Sequence, residues 1–421
     1  MNTRRRGLPG ALILGTVSVV VGVLLFELAA QWLLERSPAG RDELLGVWLP
    51  PRSVIPPQPP PSFDSNEPYD DLIVGGKRIS KGDLWGIMRE DPIVGYVPRE
   101  SSVSANGWWR SNDVGARHDV DLRDGESSQY GTRRILVFGE SFTQGSRLPQ
   151  EDTWVYQLAA RHPAIEPVNF GVDGYGMAQC LLRYRTVADQ VRHNAVAFVF
   201  LPTADLWRDV NTIRSLAEPW HSFAVLPRFV PENGNLYLAR SPYGDVDAMY
   251  RENRPVLSKE LRDHLRLYDR FYVPMLYEAS GMADFPVSAR LIAAYLGQRK
   301  LREIRRQMFY DPDSEAWRTV REIFLSAKRE SENHGAEFVV IIMPTHDDVA
   351  TAADYEDFRL YWAERVDAFR HLGIKTLDLL PALSMVAADL DYGYDGSHYG
   401  PAASAHIATV LSQELSFEIK H

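Results

Sequence analysis

Arg133-Arg134-Ile135-Leu136-Val137-Phe138-Gly139-Glu140-Ser141-Phe142-Thr143-Gln144-Gly145 is the stretch that decides the fold. Residues 135–138 form a continuous apolar run, the pattern of a strand covered on both faces, and they feed directly into a tight Gly-x-Ser turn. A serine at that place stands at the carboxyl edge of a sheet, where open α/β proteins bind their ligands. The same position suits an ordinary helix N-cap, because a serine oxygen accepts the free amides of a first turn. The surroundings are not the Gly-x-Ser-x-Gly elbow, since Thr143 stands where that motif has its second glycine. They are not a phosphate loop either, which needs Gly-Lys-Ser/Thr after four residues.

Downstream of this stretch, buried runs alternate with helical periodicity. Residues 166–170, 195–201, 337–343 and 374–377 read as further strands. Residues 153–161, 177–191, 287–308, 314–333, 355–371 and 401–414 read as helices, with Gly335 and Gly373 as C-terminal stops. Such alternation with short loops predicts an α/β fold, a parallel sheet between two helix layers. The expected organisation is an N-terminal segment 1–36, a proline-rich spacer 37–90, an extension 91–130 and the main domain 131–421. An irregular, aromatic-rich insertion at about 211–285 interrupts that domain.

The chain has 421 residues, 45% hydrophobic and 24% charged, with a formal net charge of -10. Arg4, Arg5 and Arg6 lie at the N-terminus, so the remainder is more acidic still, which argues against a nucleic-acid partner. The single cysteine, Cys180, rules out an intramolecular disulfide and a cysteine-cluster zinc site. Residues 7–26 are uncharged and about long enough to cross a bilayer. The arginines before them keep that end in the cytoplasm by the positive-inside rule, so everything after about residue 36 is expected outside. A cleaved secretory signal with Ala29-Ala30 at its cleavage site is the other reading, and it exports the same body. Pro50, Pro51 and the prolines between 56 and 61 suggest a stiff, extended spacer.

Two further motifs carry chemistry. Asn169-Phe170-Gly171-Val172-Asp173-Gly174-Tyr175-Gly176 follows the second strand, and its glycines let backbone amides approach a ligand and face a developing oxyanion. Asp395-Gly396-Ser397-His398 precedes the last helix. A carboxylate three residues before an imidazole can hold Nδ1–H while Nε2 faces a hydroxyl. Ser141, His398 and Asp395 are therefore the parts of a serine hydrolase, needing no cofactor and no metal. The tryptophans Trp108, Trp109, Trp207 and Trp220 with His221 read either as a sugar platform or as core. His346-Asp347-Asp348 follows a strand and is a weak metal candidate.

At these residues the chain resembles the SGNH (GDSL-type) hydrolase superfamily, particularly its membrane-anchored bacterial members. Gly139-Glu140-Ser141 stands where the family usually has Gly-Asp-Ser, Gly171 matches the glycine of the second block, and Asp395 with His398 matches the final Asp-x-x-His. The likeness runs over about residues 90–418 and implies an SGNH/flavodoxin-like three-layer sandwich. It implies Ser141 as nucleophile, His398 as base and Asp395 as its orienter. The amides of Ser141 and Gly171 would receive the oxyanion. The substrate would be an O-acyl ester, and a cell-envelope polysaccharide is one candidate. Acyl transfer to a surface polysaccharide by the same three residues, or non-catalytic carbohydrate binding in an envelope assembly, are the alternatives. Two departures stand out. Glu140 replaces the usual aspartate. After the third strand the family has an asparagine that donates to the oxyanion, whereas here the chain reads Pro202-Thr203-Ala204-Asp205. Ala204 cannot donate, which leaves Thr203 or the insertion as a substitute; losing one such donor costs about 10²–10³ in rate.

Overall fold

The structure is a computed structural model. It describes residues 8–36, 42–54, 72–74, 77–79, 87–104, 107–123, 132–218, 225–243, 246–253, 257–279, 281–284, 286–354, 360–393 and 396–416. Its chain forms two compact units, one from Met1–Pro59 with Asn253–Arg305 and one from Pro60–Glu252 with Arg306–His421. The stretch 211–285 is thereby shared between the two units. Prolines 56 to 61 lie outside the described residues.

The larger unit is an α/β sandwich. Its strands are β1 (Arg133–Phe138), β2 (Ile165–Asn169), β3 (Ala195–Phe200), β4 (Glu337–Ile342) and β5 (Lys375–Asp378). They pair in the order β5-β4-β3-β1-β2, and every pairing is parallel. Every residue of β3, and every residue of β1 after Arg133, is buried, as expected of strands covered on both faces. The helices between them are α1 (Ser141–Gln144), α2 (Trp154–Arg161), α3 (Met177–Val187), α4 (Pro202–Arg208), α5 (Glu315–Asn333), α6 (His346–Asp354), α7 (Ala363–His371) and α8 (Pro401–Ser416). Helix α2 packs on α8, whereas α5 packs on α3 and on β4. Beneath that second layer lies an aromatic core. Phe138 stacks on Phe170 at 5.0 Å and meets Phe198 edge-on at 5.6 Å, and Phe200 meets Phe324 at 5.5 Å. Burying such rings is worth about 0.5–1.5 kcal/mol per pair beyond their area.

Local chemistry sets the element ends. Ser314 caps α5 through its oxygen to the Trp317 amide. Gly335 and Gly373 stop α5 and α7 at φ of +70°, a left-handed conformation that glycine reaches without a Cβ penalty. Helix α3 ends at Val187 rather than 191, where the Gln190 amide tightens onto the Val187 carbonyl. The helix expected over 355–371 begins only at Ala363, and residues 355–359 lie outside the described residues. Residues 346–354, not assigned from sequence, form α6. Asp348 fixes its start by accepting from the Thr345 amide at 2.8 Å and hydroxyl at 2.6 Å, an ordinary capping role for a carboxylate at a helix start.

The smaller unit carries the helix Leu8–Trp32 and the strands Glu35–Arg36, Asp42–Leu44 and Val47–Trp48. Residues Ile13–Trp32 have a mean hydropathy of 2.3, long and apolar enough to cross a membrane. Near the end of this helix the Glu27 carboxylate accepts from the Val287 and Ser288 amides at 2.7 and 2.9 Å. It thereby caps the helix Val287–Tyr310, satisfying two of its free N-terminal donors. Ala30, Leu44, Leu49 and Val287 close a small core beside it.

Candidate active site

The sheet order changes direction at β1. The chain crosses from β1 to its neighbour β2, then returns to β3 on the other side of β1. In such sheets the loops leaving the carboxyl ends of the strands diverge at this switch point, which is the usual ligand position. Ser141 sits at that point, as the first residue of α1 directly after β1.

His398 arrives at the same point from the loop before α8. Its Nε2 lies 2.8 Å from the Ser141 Oγ. The imidazole packs 4.7 Å from the Phe142 ring, and Tyr399 meets that ring edge-on at 5.4 Å. Tyr399 is itself held by its hydroxyl, which donates to the Pro344 carbonyl at 2.8 Å. The Ser397 hydroxyl is 3.2 Å from the His398 Nδ1. Asp395 lies outside the described residues.

The oxyanion candidates differ from one another. The Ser141 amide, at the first position of α1, has no hydrogen-bond partner among the described residues. The Gly171 amide does have one, the Asn169 Oδ1 at 2.9 Å, so an oxyanion there has to displace or share that bond. Gly171 is glycine for a packing reason. A Cβ at this position would meet the Gln144 nitrogen at 2.4 Å and the Thr143 carbonyl carbon at 2.7 Å, which are backbone atoms that cannot swing aside. The Thr203 hydroxyl is buried without a hydrogen bond of ordinary geometry, and its neighbours are the Asp348 carboxyl and the Tyr361 hydroxyl. Ala204 is in the first turn of α4, its amide bonded to the Leu201 carbonyl.

Several residues that shape this place escaped the sequence reading. Asn169 donates from Nδ2 to the Thr143 carbonyl at 2.8 Å and so ties the end of β2 to α1. Gln144 accepts on Oε1 from the Asp173 amide at 2.9 Å and the Ser146 hydroxyl at 3.0 Å. Arg117 is 4% exposed and donates to four carbonyls, those of Gln144, Gly145, Trp108 and Leu148. Burial pushes its guanidinium down to about 9, and the four carbonyls are what compensate the buried charge. The reach of Arg117 to residues 144–148 is a tertiary fact with no local signal in the sequence.

A buried charge network lies beneath the serine. Glu140, fully buried, caps α1 by accepting from the Phe142 amide at 2.9 Å, and its second oxygen is 2.6 Å from the Ser141 Oγ. Arg208 Nη1 is 3.7 Å from that oxygen and 3.4 Å from Asp205 Oδ1. Burial pushes the Asp205 carboxyl well above its ordinary range, against the pull of Arg208. Burial likewise raises Asp209 to about 6, although it accepts the Ala178 and Met177 amides at the start of α3. Among the tryptophans, Trp109 and Trp207 are buried, the latter beneath the Arg208 and Arg214 guanidinium groups at 5.4 and 5.9 Å. They belong to the core; Trp220 and His221 lie outside the described residues.

No protein-family model matches the chain, and no curated protein does. Among solved structures, a lipolytic protein of the G-D-S-L family from Veillonella parvula is similar at 11% identity and a TM-score of 0.29, covering 68% of this chain and 99% of that one. A carbohydrate acetylesterase family member from Sinorhizobium meliloti is 12% identical at a TM-score of 0.30, over 69% of this chain and 100% of its own. An acetylxylan esterase from Geobacillus stearothermophilus, solved as a catalytic mutant, is 14% identical at 0.23, over 69% and 98%. These three are described as a G-D-S-L lipolytic protein, a carbohydrate acetylesterase family member and an acetylxylan esterase.

Proposed function

We propose that the protein is an exported, membrane-tethered serine hydrolase of O-acyl esters. The observation that carries this reading is the 2.8 Å approach of His398 Nε2 to Ser141 Oγ at the switch point of the sheet. A hydroxyl beside an imidazole nitrogen is an activated nucleophile. Ser141 attacks the ester carbonyl while His398 takes its proton; the carbonyl electrons move onto oxygen beside the unpaired Ser141 amide. Collapse of the tetrahedral species expels the alcohol, which takes the proton back from His398. Water, deprotonated by His398, then releases the acid from the acyl-serine. Asp395 is assigned the orienting role on the strength of the sequence motif.

The tethering part of the reading rests on the apolar helix ending at Trp32 and on Arg4, Arg5 and Arg6 before it. The proposed substrate class is an O-acylated polysaccharide of the cell envelope, which a hydrolase held outside the membrane by that helix would meet.

The test is covalent labelling of the detergent-solubilised full chain with a fluorophosphonate, followed by hydrolysis of p-nitrophenyl acetate. Ser141 should be the labelled residue, and Ser141→Ala should abolish both labelling and turnover. An unlabelled Ser141, with no turnover of simple esters or acylated glycans, refutes the reading.

A further inference from the structure

Ser141 has one hydroxyl proton and two acceptors within reach. His398 Nε2 is at 2.8 Å and Glu140 Oε2 at 2.6 Å. The second contact is the shorter, and an O–H bond to a carboxylate is about twice as strong as one to a neutral acceptor. Glu140 is also held rigidly. One of its oxygens is fixed by the Phe142 amide, the other lies 3.7 Å from Arg208, and no part of the residue reaches solvent. A proton donated to Glu140 leaves an oxygen lone pair facing His398, and the 2.8 Å contact is then completed by an Nε2–H. A neutral imidazole in that tautomer already carries a proton on the atom that must receive one, and it lacks the Nδ1–H that an orienting Asp395 would hold. With the serine proton on the Glu140 side, the hydrogen bonds run in the opposite sense to the one attack requires.

From this geometry we propose that Glu140 is a positioning residue that restrains Ser141, competing with His398 for its proton and holding the enzyme below its attainable rate. The inference rests on the hydrolase reading above. The reason lies in one methylene. An aspartate is itself a preferred N-cap and can hold the start of a helix, but it is shorter by about 1.5 Å. The longer glutamate keeps the cap with one oxygen and brings the other against the nucleophile.

The experiment compares Glu140→Asp and Glu140→Gln with wild type in the detergent-solubilised full chain. It reads fluorophosphonate labelling rate, kcat and KM for p-nitrophenyl acetate, and the unfolding temperature. Aspartate withdraws the competing acceptor. Glutamine keeps the volume and loses the charge, and its amide donates to Oγ and so directs the hydroxyl proton to His398. Both should raise labelling rate and kcat by about tenfold, the factor by which a charge-assisted hydrogen bond outweighs a neutral one, with KM unchanged. A merely structural role predicts equal or lower kcat together with a lower unfolding temperature. Labelling of wild type with no gain in either variant overturns the restraint alone. Absence of labelling in all three overturns the hydrolase reading, and the restraint with it.

Discussion

Replacing Arg117 with alanine should loosen the segment that follows the candidate nucleophile, and the size of the effect can be worked out from its contacts. Four carbonyls lose their donor, three of them in fully buried bonds: Gln144 at 2.6 Å, Gly145 at 3.0 Å and Leu148 at 2.7 Å. The Gly145 carbonyl keeps the Leu148 amide as a donor, so two buried acceptors are left unsatisfied, at about 1–3 kcal/mol each or roughly 2–6 kcal/mol together. Against this stands the desolvation of the guanidinium, several kcal/mol, which alanine no longer bears. The net loss expected is about 2–3 kcal/mol, toward the upper end of what single substitutions cost. For a unit of this size that corresponds to a fall of roughly 3–5 °C in unfolding temperature. Differential scanning calorimetry of the detergent-solubilised chain measures it, on the transition that Ser141 labelling shows to belong to the larger unit. Arg117→Lys should recover part of the loss. It keeps the charge but offers three donors from one point rather than a planar fork. An Arg117→Ala transition within about 2 °C of wild type would show that water replaces the four bonds freely and would refute the reasoning.

Two further outcomes test the site and the topology. Ala204→Asn should raise kcat for short acyl esters by up to about 10²-fold, because a preset donor gains most where charge develops in the transition state; an unchanged or lower kcat means that another group already fills that position. Alkaline phosphatase fused after His421 should be active, since the arginines ahead of the apolar helix keep the other end inside; an inactive fusion with an intact chain reverses the orientation.

Much of the fold was legible because its signals are local. The strands expected at 135–138, 166–170, 195–201, 337–343 and 374–377 correspond to the five strands Arg133–Phe138, Ile165–Asn169, Ala195–Phe200, Glu337–Ile342 and Lys375–Asp378. The ends were less legible. The helix over 346–354 begins with Thr345 and Asp348 bonding to each other, a cap built from polar residues that resemble a metal cluster when read in one dimension. For the tryptophans the sequence left platform and core open, and packing chose core for Trp109 and Trp207. Trp207 looks available in a polar stretch, but Arg208 and Arg214 fold over it.

The sequence by itself determined the α/β class, the apolar N-terminal helix and the identity of the residues with chemistry to offer, because strand and helix periods and membrane-length runs are written within a few residues of one another. Only the tertiary structure decided the strand order, which depends on pairings between segments far apart in the chain. It alone decided that His398 meets Ser141 across a separation of 257 residues. It alone decided that Arg117 holds the loop beyond α1 and that the Gly171 amide is already engaged by Asn169. The same holds for Glu140. In the sequence it is a conservative exchange of one acid for another. In three dimensions one additional methylene turns a helix cap into a rival for the serine proton, because a hydrogen bond is decided by a few tenths of an ångström that no residue pattern encodes.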